Sequence, residues 1–523
     1  MRDHPDRMVP ALIALFLALI GTAWALTNPP GAGPDEGAHY VKALGAGAGH
    51  LYGSKPAPGR AEIQALVGTK RSSEERAKLE AFLGAGTVSA QTQWQRLTSR
   101  EFTVPAGLSF NAFGCGRWKN DDWGRCLDEG TSSSEATDRS SYVGTYQPYV
   151  YIASGLVMRR AGDPFTALRL GRLANAALSL GLLLLAAIVL WDRSRGALSL
   201  AGLIVAITPM VVFFAANLNP TGPELAGAVC FAAALLRLAR GSDAPPVAWV
   251  ACAAGGSVLG LSRSLGPGFV VLLLAAVALL AGRGRAVAVL RQAPRAAAVT
   301  TATVAAACVA GLVWELRYQP HVPHSPGRIL DGVGPSFDVL PRMPKEAVGV
   351  FGALDTFMPL GPYLIWWLML ALLVGAALWV GRGSERAWLL ALPAAIVVVT
   401  LGTSAVYRQT GFALQARYVL PFALLLPLAA GELLQRHGER LRPAHARGLL
   451  LGAAGGAAAV HVVAWYANGR RVSVGRDGDW LFASQADWVP PLGWWTWIAV
   501  VAVAAAVYVV AGVKAARAIA ATR

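Results

Sequence analysis

The chain has 523 residues, of which 55% are hydrophobic and only 15% charged, with a mean hydropathy of +0.46. That is too little charge for the surface of a water-soluble protein of this length, and no ten-residue segments alternate as the strands of an outer-membrane barrel do. The net charge of +16 is spread over many short segments without a basic patch or RNA-binding motif, which excludes a nucleic-acid partner and leaves the lipid bilayer as the surroundings.

In chain order, the first apolar run is Val9 to Leu26, behind Arg2 and Arg7. Its end, "TAWALT", has the small residues of a signal-peptidase site. The apolar runs that follow make it an uncleaved anchor with a cytoplasmic N-terminus. A polar segment, 27–146, comes next and is far longer than an ordinary connection. Cys115 and Cys126 lie within it and would pair in an oxidising compartment, the alternative being two free thiols. "TYQPYVYIASGLVMRR" (145–160) is too short to span and rich in Tyr, so it reads as an interfacial helix.

Further spans are expected at 168–191, 198–216, 221–239, 247–262, 266–281, 296–314, 362–380, 387–404, 418–436, 447–466 and 493–513. With the first run that makes about twelve, because a backbone in lipid must satisfy its own hydrogen bonds within helices. Cys230, Cys252 and Cys308 fall in these runs and read as packing residues. The segments "WDRSRG", "RLARGSD", "GRGRAVAVLRQAPR", "GRGSER", "QRHGERLRPAHAR" and the tail "KAARAIAATR" all carry Arg or Lys. With the N-terminus inside they are all cytoplasmic, as the positive-inside rule expects. The expected fold class is therefore an all-α polytopic membrane protein. It has a core over 1–436, long outer loops at 27–146 and 315–361, C-terminal helices over 437–523, and both termini cytoplasmic.

Several polar residues then collect at the outer rim. In "NPPGAGPDEGAHYVKAL" (28–44), Pro34 suits the first turn of a helix, and Asp35 and Glu36 suit the positive end of its dipole. Asp35 and His39 are four apart and share a face. One reading is a well-capped helix start. The other is a general base, or a carboxylate–imidazole site for a divalent cation formed by Asp35 and His39. "GVFGALDTFMPLGPY" contributes Asp355, "TGFALQARYVLP" contributes Gln415, Arg417 and Tyr418, and "AANLNPTGPEL" contributes Asn217, Asn219 and Glu224. Polar residues at the ends of apolar helices are costly unless they meet water or a cavity, so together they suggest one polar site. Arg417 is the candidate to hold a phosphate or carboxylate, because a guanidinium forks onto such groups; Arg408 and Arg263 are weaker candidates. There is no G-x-x-x-x-G-K-[ST] loop, G-x-S-x-G elbow or H-E-x-x-H helix. Small-residue patterns such as "GAAGGAAA" from Gly452 read as helix packing.

The elements "PDEGAHYVKA", "YQPYVYIASGL" from Tyr146, "GVFGALDTFMP" and "LQARYVLP", in this order, resemble the bacterial membrane family called domain-of-unknown-function family 2142. The likeness runs from about residue 10 to 436. The acidic pair after the first span resembles the first-loop Asp-Glu of GT-C membrane glycosyltransferases. Here Ala416 stands where that family has Gly, Ala353 where it has Trp, and Thr221 where it has Asp in an N-P-D element, with Glu224 nearby. The resemblance implies transfer of a sugar from a polyprenyl-phosphate donor to an envelope glycan, lipid or protein acceptor at the outer face of the plasma membrane. It implies Asp35 as general base, Glu36 and His39 orienting it, binding acceptor hydroxyls or holding a cation, and Arg417 neutralising the leaving phosphate. Gln415, Tyr418, Asp355, Asn219, Tyr146 and Arg408 would contact substrate, and Trp residues of "RWKNDDWGRC" would either stack on sugar rings or serve only in packing. A transporter or flippase, and a non-catalytic assembly scaffold, are the competing readings. The first would have inverted repeats and a site at the midplane, and the second would use the acids only as caps.

Overall fold

The computed structural model describes residues 7–56, 90–116, 123–191, 197–241, 244–320, 333–408 and 412–521. Most of "WDRSRG" and of "RWKNDDWGRC" lies outside them, but Trp123 of the latter is described and is packed in the hydrophobic core rather than presented to a sugar. Among the described residues, eight helices are long and apolar enough to cross a membrane: Met8–Thr27, Pro164–Leu190, Thr221–Leu238, Pro294–Tyr318, Leu360–Val380, Gly383–Arg408, Pro443–Val474 and Gly493–Ile519. Two more candidates are bent pairs. Leu198–Ala206 turns by 64° into Pro209–Ala215, and Gly266–Ala281 by 106° into Arg283–Gln292. The first bend has a local cause: Pro209 lacks an N–H and Thr208 caps the new helix by accepting from Val211 N. The expected spans at 247–262 and 418–436 are the short helix Pro246–Ser262 and the interrupted pair Leu420–Ala423 and Leu425–His437.

Thr221–Leu238 is buried along its whole apolar length and lies at the centre, packed on Pro164–Leu190 and Pro246–Ser262. Small residues set this approach: a Cβ on Gly255 would sit 2.6 Å from Phe231 N. The small-residue pattern from Gly452 packs as expected, with Ala454 against Gly512 and Gly456 against Met369, although a Cβ on Gly452 itself would meet nothing within 4 Å. The helix Gly493–Ala521 packs on Met8–Thr27, with Phe16 stacked on Tyr508 at 3.9 Å, so the C-terminal helices close against the first.

The polar loop after the first helix folds onto one end of this bundle. It contains the helix Glu36–Gly47, the helix Ala90–Thr98 and an antiparallel ribbon pairing Arg100–Val104 with Thr137–Ser141. The expected disulfide joins Cys115 to Cys126. The Tyr-rich segment forms the short helix Tyr149–Met158, packed on Glu36–Gly47. The opposite end of the bundle carries a buried ionic cluster in which Glu432 is held by Arg240 at 2.7 Å and Arg436 at 2.9 Å. Isolated acids in an apolar bundle are stable only when paired in this way.

Candidate functional site

The site begins with a departure from the helix expected at Pro34. Helix Glu36–Gly47 starts two residues later, and Asp35 sits before it in the left-handed region, with φ 58° and ψ 14°. That conformation costs an ordinary residue about 1–2 kcal/mol, less for Asp. Its side chain does not cap the helix. It turns outward, where one carboxylate oxygen accepts from Tyr142 Oη at 2.8 Å and the other lies 3.4 Å from Arg417 Nη2. The strain therefore exchanges a cap for a presented carboxylate, 37% exposed.

One residue on, Glu36 points the other way and is fully buried. It accepts from Arg172 at 2.7 and 2.6 Å, from Gly31 N at 3.1 Å and from Leu218 N at 3.2 Å. Arg172 also donates to the carbonyls of Ala25, Asn28 and Pro29. Gly31, at φ 81°, allows the loop to curl over the carboxylate, and a Cβ there would strike Gly114 N. His39 is buried between Tyr151 Oη at 2.7 Å and Asn219 Nδ2 at 3.1 Å, and Asn219 also donates to Pro34 O. Glu36, His39 and Asn219 thus form the support beneath Asp35. Among the described residues no three His, Cys, Asp or Glu side chains come together to hold a metal. Both ring nitrogens of His39 are engaged, by Tyr151 and Asn219, while Asp35 turns to Tyr142 and Arg417, so the two side chains do not converge as a pair of cation ligands.

Above Asp35 is a cavity of about 510 Å³. Arg417 enters it from the short turn Ala416–Tyr418. Its side chain is 4% exposed, lies over the Phe214 and Tyr418 rings, and keeps Nε and Nη1 without a hydrogen-bond partner. A buried guanidinium with two idle donors is matched to an anion. Glu346, from the helix Met343–Val348, fixes the turn by accepting from Ala416 N at 2.8 Å. Arg263 joins Arg417, its guanidinium carbon 4.6 Å from the centre of the same Tyr418 ring, with Glu224 4.0 Å away. Gln415, Tyr418 and Tyr146 also line the cavity.

Two expected contacts lie elsewhere. Asp355 pairs with Arg471 at 3.1 Å and Arg476 at 3.6 Å, tying the hairpin Val350–Phe351/Thr356–Phe357 to the Pro443–Val474 helix, and only Ala353 and Leu354 at the hairpin tip reach the cavity. Arg408 turns from the cavity toward Pro335 O and Asp338. The sequence reading missed Tyr142, Arg172 and Glu346. Arg172 carried a signal, a charge inside an apolar helix; Tyr142 and Glu346 sit in polar segments where nothing marks them.

No curated protein matches the chain. The crystal structure of ArnT from Cupriavidus metallidurans in the apo state is similar over 72% of this chain and 66% of that one, slightly under two thirds, with 16% identity and a TM-score of 0.39. A family model described as "Predicted membrane protein (DUF2142)" matches residues 16–426, and the chain belongs to that family.

Proposed function

We propose that this protein is an inverting membrane glycosyltransferase of GT-C type, moving a sugar from a polyprenyl-phosphate donor to a cell-envelope acceptor. The observation that carries the reading is the pairing of a strained, presented Asp35 with a buried Arg417 whose Nε and Nη1 lack partners. A base and an anion holder in one cavity are the two requirements of such a transfer. Asp35 takes the proton of the acceptor hydroxyl, whose oxygen bonds to the anomeric carbon. The bond from that carbon to the phosphate oxygen breaks, and polyprenyl phosphate leaves with the electron pair onto Arg417. Attack from the face opposite the phosphate inverts the centre. Tyr142 aims the carboxylate and Tyr418 holds the guanidinium plane.

The cavity lies at the helix ends opposite Arg240 and Arg436, the ends that the positive-inside rule assigns to the cytoplasm. This supports an extracytoplasmic site in a plasma membrane, where a lipid-borne donor is available and nucleotide sugars are not.

The test is turnover in nanodiscs against a panel of polyprenyl-phosphate sugars. Wild type should release polyprenyl phosphate and Asp35→Asn should not, while Arg417→Ala should weaken donor binding by about 30-fold, the worth of one or two charge-assisted hydrogen bonds. No donor bound by wild type, with all three proteins equally stable, would refute the reading.

A further inference from the structure

The helices Gly266–Ala281 and Pro294–Tyr318 both reach the cavity at one end, the first through Leu265 and the second through Glu315 and Gln319. Their other ends, at Ala281 and Pro294, lie on the far side of the bundle, and the helix Arg283–Gln292 joins them there. It leaves Gly266–Ala281 at 106°, so it runs along the membrane plane rather than through it. The turn is made at Gly282, whose φ of 77° and ψ of 153° belong to a region essentially restricted to glycine.

The described arginines of that side divide in two. Arg240 and Arg436 are held on Glu432, and Arg440 donates to Val380 O at 2.8 Å. Arg283, Arg285, Arg291 and Arg295 are all exposed, and the stretch 282–295 contains no acid to pair with them. Viewed down the helix, Ala286, Val287, Val289 and Leu290 fall in one sector, with Arg285, Arg291 and Gln292 in the opposite one. Val289 touches the core, but no residue of this helix is buried, and Leu290 is 53% exposed. A charge needed only to orient the chain can sit in any short loop. An apolar sector beneath a cationic one is the pattern of a helix lying between acyl chains and headgroups.

We infer that Arg283–Gln292, together with Arg295, is a binding surface for anionic phospholipid headgroups of the cytoplasmic leaflet. The four cations without an acid complement such a surface, where each arginine is worth about fivefold in affinity. A lipid fits better than an acidic protein segment. Both ends of the helix are tied to membrane helices, which holds Val287 and Leu290 at the depth of the acyl chains, where a soluble acidic segment does not follow. Nothing in this inference depends on the chemistry of the cavity.

The test is lipid binding by the full chain in neutral detergent, titrated separately with phosphatidylglycerol and phosphatidylcholine and followed by native mass spectrometry. Phosphatidylglycerol should bind about tenfold or more tightly than phosphatidylcholine, and added salt should erode the difference. Arg285→Gln/Arg291→Gln should weaken phosphatidylglycerol by about 30-fold and leave phosphatidylcholine unchanged. Arg382→Gln/Arg386→Gln, on another exposed stretch, should change neither by more than about twofold. All four positions are exposed, so a common unfolding midpoint checks that the variants are folded. Equal binding of the two lipids by wild type, or a preference that survives Arg285→Gln/Arg291→Gln, would overturn the inference. Poly-glutamate is titrated in parallel; if it bound through Arg285 and Arg291 while phosphatidylglycerol showed no preference, the surface would belong to an acidic protein instead.

Discussion

The adjacent acids Asp35 and Glu36 should respond to neutralisation in opposite ways. Glu36→Gln removes the charge from a pair in which Arg172 and Glu36 have side chains only 1% and 0% exposed. Breaking a buried pair by removing one partner costs roughly 3–5 kcal/mol, because the remaining charge stays buried. Arg172 keeps three carbonyl acceptors at 2.7 to 3.0 Å, which places the loss near the lower end, at about 3 kcal/mol. For a chain of this length that corresponds to a fall in apparent midpoint of about 3 °C. The assay is thermal unfolding in nanodiscs at a fixed scan rate, since unfolding of such a protein is under kinetic control. Glu36→Gln/Arg172→Met should recover part of the loss, a coupling of about 1 kcal/mol or more. Asp35→Asn, at a partly exposed position whose backbone Asn also tolerates, should stay within about 0.5 kcal/mol of wild type. A Glu36→Gln protein that unfolds like wild type yet has lost turnover would refute this reasoning and return Glu36 to the catalytic role the sequence suggested.

Tyr142→Phe removes the 2.8 Å hydrogen bond to Asp35; kcat should fall about tenfold with little change in KM, and an equal change in both would make Tyr142 a binding residue instead. Reducing Cys115–Cys126, which closes a sequence separation of 11, should cost about 2–3 kcal/mol, seen as an earlier unfolding midpoint in dithiothreitol that Cys115→Ser reproduces. Lys42 is buried against Arg100, and burial first, then that charge, pulls its ammonium down to about 7. The unfolded chain takes up this proton from about pH 10.5 and the folded chain only near 7, so stability falls as pH drops through that window and levels off below it. Lys42→Met should flatten the midpoint-versus-pH curve between pH 7 and 10; an unchanged slope would assign the dependence to other groups.

The apolar runs were legible because hydropathy depends only on local composition, and eight of them are continuous helices of spanning length. Breaks at Thr208 and Gly282 were harder to read, since a helix bends where caps and neighbours allow it. The sequence also located the polar residues of the rim, for Asp35, Arg417, Gln415, Tyr418 and Tyr146 reach one cavity. It could not say which acid of the pair faces that cavity. Successive side chains diverge by about 100° on a helix, and the left-handed turn at Asp35 adds a rotation that no propensity predicts. That turn is held by contacts far along the chain: Arg172 is 136 residues from Glu36, and Arg417 is 382 residues from Asp35. Composition and motif thus determined a helical membrane protein with a polar rim. Only tertiary packing decided that Glu36 and His39 are buried supports and that Asp35 is the presented carboxylate, because burial and pairing are properties of distant segments brought together.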